Sequence, residues 1–168
     1  MGPSTTKKVM VFRFDRETLP GFVNPQGYLL PSGLELLSTA GSVSVLPYPE
    51  VKSVCFVREF GTGEARKEMR VFTTRPKMDG LWVRMHFRDG DIMDGILTNN
   101  LLLVEPYGFT IVPPDSGNQN QRTFVPKSSL VDMHVLGVVG SGRSRKRVAP
   151  KEQMDIFGQL AEAAKVDK

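Results

Sequence analysis

Val83 to Thr98 reads VRMHFRDGDIMDGILT. Leu81, Val83, Met85 and Phe87 alternate with polar residues, which predicts a strand with one buried face. Asp89-Gly90 follows, a strong short hairpin signal. Ile92 to Leu97 then resumes as a second strand interrupted by Gly95. A glycine inside a strand marks a bulge or sharp bend, the device by which a sheet curls. The same grammar occurs once before. Val9 to Asn24 reads VMVFRFDRETLPGFVN, and at a constant offset of 74 Val9 meets Val83, Asp15 meets Asp89, Gly21 meets Gly95 and Val23 meets Leu97. A later block recurs at an offset of 79, where Val45-Leu46-Pro47 with Val51, Val54 and Val57 matches Phe124-Val125-Pro126 with Leu130, Met133 and Leu136. The polar stretch 115–121 absorbs most of the growth in offset, as insertions in loop tips do.

Working outward, Leu101 to Val104 and Gly108 to Val112 are apolar runs separated by Pro106. Arg122 to Val125 reads as a strand that Pro126 breaks and Leu130 to Val135 resumes. Five short strands with a bent second strand describe a small, strongly curved barrel. The expected fold is therefore mostly β: two tandem five-stranded SH3-like barrels, then a short C-terminal helix or flexible tail. Residues 7–60 form the first barrel and 81–140 the second, with 61–80 as a linker and 141–168 as a basic linker and amphipathic segment. Arg70-Val71-Phe72-Thr73-Thr74 is a candidate added strand in the linker. Units of this size bury little surface alone, so packing against each other or in an oligomer is expected.

The stretches VRMHFRDGDIMDGIL, YGFTIVP and RTFVPKSSLVDMHVL together resemble the Sm-like proteins, and among them the bacterial Hfq-type RNA chaperones. The resemblance implies the small barrel, self-association through edge strands, and a pseudo-hexamer built from three chains of two barrels. It places Phe109 where the family stacks a base, and His86 where the opposite ring face uses an aromatic. Hfq-type chains carry a Lys-His pair where this chain has Val125-Pro126 and Leu46-Pro47, and a glutamine where it has Gly108.

The 168 residues are 40% hydrophobic and 24% charged, the balance of a soluble globular protein. No apolar run reaches the ~18 residues of a membrane span. Met1 to Lys8 lacks the apolar core of a secretory signal, so a cytoplasmic, membrane-free location is expected. One cysteine, Cys55, and two histidines leave too few ligands for a Cys/His zinc site, and no cofactor is expected. The net charge is +4, and residues 143–168 hold seven bases against four acids, so the body is close to neutral. Arg143, Arg145, Lys146 and Arg147 are candidate phosphate contacts on a Gly/Ser-rich linker. Beyond them Met154, Phe157, Leu160, Ala161 and Ala164 recur at helical spacing. Gln153-Met154-Asp155-Ile156-Phe157 resembles the pentapeptide by which bacterial proteins bind the DNA sliding clamp. In that reading Ile156 and Phe157 fill an apolar pocket, Gln153 fixes orientation by hydrogen bonds, and Met154 is the motif's first aliphatic residue. Asp89, Asp91 and Asp94 cluster at a hairpin, where turns recruit Asp for conformational reasons, and no nucleophile–base pair accompanies them. The sequence thus predicts a non-enzymatic protein associated with RNA or single-stranded DNA. The alternative is a protein-interaction scaffold tethered to the sliding clamp.

Overall fold

The computed structural model describes residues 5–61, 70–114, 116 and 120–140. The protein is mostly β. Its strands are β1 (Lys7–Arg13), β2 (Thr18–Val23), β3 (Leu29–Leu30), β4 (Gly33–Ser38), β5 (Val43–Leu46) and β6 (Val51–Val57), then β7 (Gly80–Phe87), β8 (Ile92–Leu97), β9 (Gly108–Val112), β10 (Asn120–Pro126) and β11 (Leu130–Val139). All pair antiparallel in one sheet of order β11-β7-β8-β9-β10-β6-β1-β2-β4-β3, with β5 on β4.

The sheet contains the expected duplication. The order β11-β7-β8-β9-β10 in the second half matches β6-β1-β2-β4-β5 in the first. The hairpins agree bond for bond. Arg13 N–H donates to the Glu17 carbonyl and Glu17 N–H to the Asp15 carboxylate; Phe87 N–H donates to the Asp91 carbonyl and Asp91 N–H to the Asp89 carboxylate. Arg16 and Gly90 occupy the same left-handed turn position, at φ 69° and 90°. A methyl group on Gly21 would overlap Leu36, and one on Gly95 would overlap Ile111. A methyl on Gly33 would meet the Leu46 carbonyl, and on Gly108 the Val125 carbonyl. These four glycines let the strands of each half approach closely at matching points.

Each half wraps its own core. Val83, Met85, Phe87, Leu97, Ile111 and Val125 are buried together, with Leu130 and Met133 packed against them. Those residues come from all five neighbouring strands, β11 through β10. In a flat sheet the outer two would lie about 19 Å apart at ordinary strand spacing, so this half must curl for them to share a cluster. Val9, Val11, Val23, Tyr28, Leu34, Leu36, Val51 and Val54 form the core of the first half.

Three expectations are corrected. In place of two tandem five-stranded barrels there is one continuous sheet, in which β10 pairs with β6, and the first half has a sixth strand, the two-residue β3. Residues 70–74 form no strand. Instead the Arg70 carbonyl accepts from Asp94 N–H, docking the linker on β8. Leu101–Leu103 is a 3-10 turn with all three leucines exposed; Asn100 caps it by accepting the Leu102 N–H at 3.2 Å. The last strand runs past Val135 to Val139, because its pairing with β7 continues through a register shift at Gly137. The C-terminal segment 141–168 lies outside the described residues.

Candidate functional site

The junction between halves combines backbone pairing, shared core residues and ion pairs. Thr123 pairs with Cys55 and Phe124 with Val54 across β10 and β6. Side chains alternate along a strand, and β10 uses that alternation to serve two cores. Phe124 is fully buried in the core of the first half, edge-on to Tyr28 at 6.0 Å, while Val125 is fully buried in the core of the second. Tyr48 and Tyr107 stack across the junction with centroids 5.0 Å apart and planes 16° from parallel. The Tyr48 hydroxyl donates to the Leu30 carbonyl at 2.6 Å; burial foremost, then the neighbouring Tyr107 phenol, pushes its pKa up to about 12. Buried Ser129 donates to the Val51 carbonyl at 2.6 Å.

Charge reinforces the junction from outside. Lys52 of the first half donates to both Asp89 and Asp91 of the second, each at 2.5 Å, and Arg70 reaches Asp91 at 2.6 Å. The Lys52 hydrogen bond holds the Asp91 carboxyl below the usual carboxylate range; burial opposes this, and Arg70 adds to it. Arg88 lies 3.9 Å from the Phe14 ring centroid and donates to the Pro49 carbonyl. The acids at the second hairpin are therefore tied up in ion pairs.

The counterparts of the two joined strands carry no such partner. Among the described residues, β5 occupies the place of β10 and pairs only with β4, and β11 occupies the place of β6 and pairs only with β7. Both outer strands present apolar residues to solvent. Val43 is 63% exposed and Val45 43% on β5; Val131, Val135, Leu136 and Val138 are exposed on β11. Unpaired backbone edges carrying apolar residues are templates for further strand pairing.

A family model described as a family of unknown function, DUF6982, matches residues 5–137. The chain belongs to this family. The DUF6982 match spans both halves and the junction between them. No curated protein and no solved structure matches the chain.

The candidate residues fall in different places on this DUF6982 chain. Phe109, on β9, is partly buried against the second core, with Lys127 Nζ 5.8 Å from its ring centroid. His86, on β7, points to the outer face and meets Asp132 of β11. The structure does not bring Phe109 and His86 together in one contact. Arg143, Arg145, Lys146, Arg147, Gln153, Met154, Ile156 and Phe157 lie outside the described residues. Sequence reasoning missed the exposed valines of β5 and β11 as a surface, although the offset of 79 already pairs Val45 with Phe124. It also missed that His134 joins His86, which only the β7–β11 register reveals.

Proposed function

We propose that this protein is a non-enzymatic, self-assembling binding protein in which each half is an Sm-like small barrel open at one edge. One observation carries the reading: the β10–β6 junction inside the chain has its two counterpart strands, β5 and β11, at opposite ends of the sheet, each paired on one side only among the described residues. Moving each internal pair by the repeat offset gives the register of the joint between chains. Arg122–Phe56, Thr123–Cys55 and Phe124–Val54 become Val43–Val135, Ser44–His134 and Val45–Met133. Val45 would enter the second core of the next chain, as Phe124 enters the first core of its own. A head-to-tail contact of this kind generates a closed ring if the rotation closes. Three chains would close with six halves.

Nucleic acid, as RNA or single-stranded DNA, is the proposed ligand of the assembled form. Assembly multiplies the basic run Arg143, Arg145, Lys146 and Arg147, and Lys127 set over Phe109 supplies a cation beside an aromatic ring. The near-neutral body favours a second reading, a scaffold that recruits a protein such as the sliding clamp through Gln153, Met154, Ile156 and Phe157. Light scattering on the full chain tests assembly. A mass of several chains is expected at micromolar concentration, and a monomer at every accessible concentration refutes it. Salt separates the ligands: phosphate binding weakens steeply as salt rises, whereas apolar anchoring scarcely responds.

A further inference from the structure

We propose that His86, Asp132 and His134 form a binding site for a divalent transition-metal ion of the zinc class. These are the only two histidines in the chain, and the fold delivers both to one carboxylate oxygen. Asp132 lies directly opposite His86 in the β7–β11 register. His134 is two residues further along β11, so it projects from the same face. A register shift between Leu130 and Asp132 sits immediately before the cluster. Bulges of this kind re-aim side chains beside functional sites.

The donors lie close to the spacing an ion needs. His86 Nδ1 is 2.5 Å from Asp132 Oδ1, and His134 Nε2 is 3.2 Å from the same oxygen. All three ligand atoms lie within 4.8 Å of one another. A tetrahedral zinc ion with bonds of about 2.0–2.1 Å holds neighbouring ligands about 3.3 Å apart. The Asp132–His134 pair has that separation, the two ring nitrogens lie within 4.8 Å of each other, and a side-chain rotation opens the His86–Asp132 pair. Two imidazoles and one carboxylate are a donor set that first-row divalent ions favour, with the remaining positions left to water. Arg84, opposite His134 in the β7–β11 register, is paired with Asp94, which it contacts at 2.7 Å. The strand face is also accessible. The side chains of His86, Asp132 and His134 are 36%, 45% and 63% exposed, so an ion can enter without opening the core.

The count of cysteines and histidines excludes a closed four-ligand Cys/His site, but not an open site of three. The proposal does not depend on assembly, so it is tested on the unaltered full chain and on a Val45→Lys variant. Zn²⁺ is titrated into each after chelator treatment, with calorimetry and the two imidazole proton resonances as readouts. One equivalent binding with micromolar affinity is expected, shifting both imidazole resonances together. His134→Ala and Asp132→Asn should each weaken binding at least about tenfold, since even outer partners of metal ligands cost that much. Far-UV circular dichroism should show the fold unchanged in both variants. Failure to saturate, imidazoles that respond at different zinc concentrations, or undiminished affinity in both variants would overturn the assignment.

Discussion

Asp94 carries a carboxylate into a place with no exposure to solvent, and donors from β7 and the linker hold it there. Arg84 contributes two hydrogen bonds, at 2.7 and 3.1 Å, Trp82 Nε1 one at 3.2 Å, and the Phe72 N–H one at 3.3 Å. Burial alone would raise its pKa. The hydrogen bonds from Arg84, Trp82 and Phe72, with the charge of Arg84, outweigh burial and hold it below the usual carboxylate range. A depressed native pKa contributes stability above the unfolded value, and that contribution is lost as pH falls through the native one. Asp94→Asn turns an amide group toward the Arg84 donors and discards the charge. Removing one partner of a buried pair costs about 3–5 kcal/mol, and the half-exposed Arg84 can rehydrate, so about 2–3 kcal/mol is expected here. Urea unfolding across pH should show the gap between the native chain and Asp94→Asn narrowing below about pH 4. A constant gap through that range would place the stabilisation elsewhere.

At the scale of elements, β10 belongs to both halves, and this governs cooperativity. Phe124 fills the first core from a strand of the second half, so the first half cannot keep its core if the second unfolds. Phe124→Ala should destabilise by about 3–5 kcal/mol. The single tryptophan, Trp82, reports on the second half, while circular dichroism reports on the whole sheet. The two probes should give coincident transitions in Phe124→Ala. Separate transitions would mean that the junction is an ornament between independent units.

Much of this level was legible beforehand, because it is local. Alternation along Leu81 to Phe87, the turn at Asp89-Gly90 and the bend at Gly95 each rest on residues close in the chain. Leu101 to Val104 reads in the sequence only as an apolar run, and the Asn100 cap is what marks its leucines as a turn. The first hairpin was harder to see because Arg16 fills the left-handed position that Gly90 fills in the second. Nothing local tells that β10 will lie beside β6, or that His86 will face Asp132. Those facts belong to register between distant strands, which a single sequence does not encode by spacing.

At the scale of the whole molecule the chain is polar, in the sense that its two ends are different surfaces. β5 at one end cannot substitute for β11 at the other, so any contact between them is heterologous and needs one of each. A lysine placed at Val45 blocks one end and leaves β11 intact. A lysine at Val135 blocks the other and leaves β5 intact. Both positions are exposed in the chain itself, so neither substitution disturbs a core. Each variant alone should therefore be monomeric. Mixed in equal amounts they should form a dimer and nothing larger, because one competent β5 meets one competent β11 and both remaining ends are blocked. A two-fold symmetric association would give the opposite pattern: a contact of β11 with β11 would leave Val45→Lys alone dimeric, and mixing would add nothing. Sedimentation of the two variants, separately and together, distinguishes these cases at a single protein concentration. The unaltered chain run beside them shows whether the series ends at three.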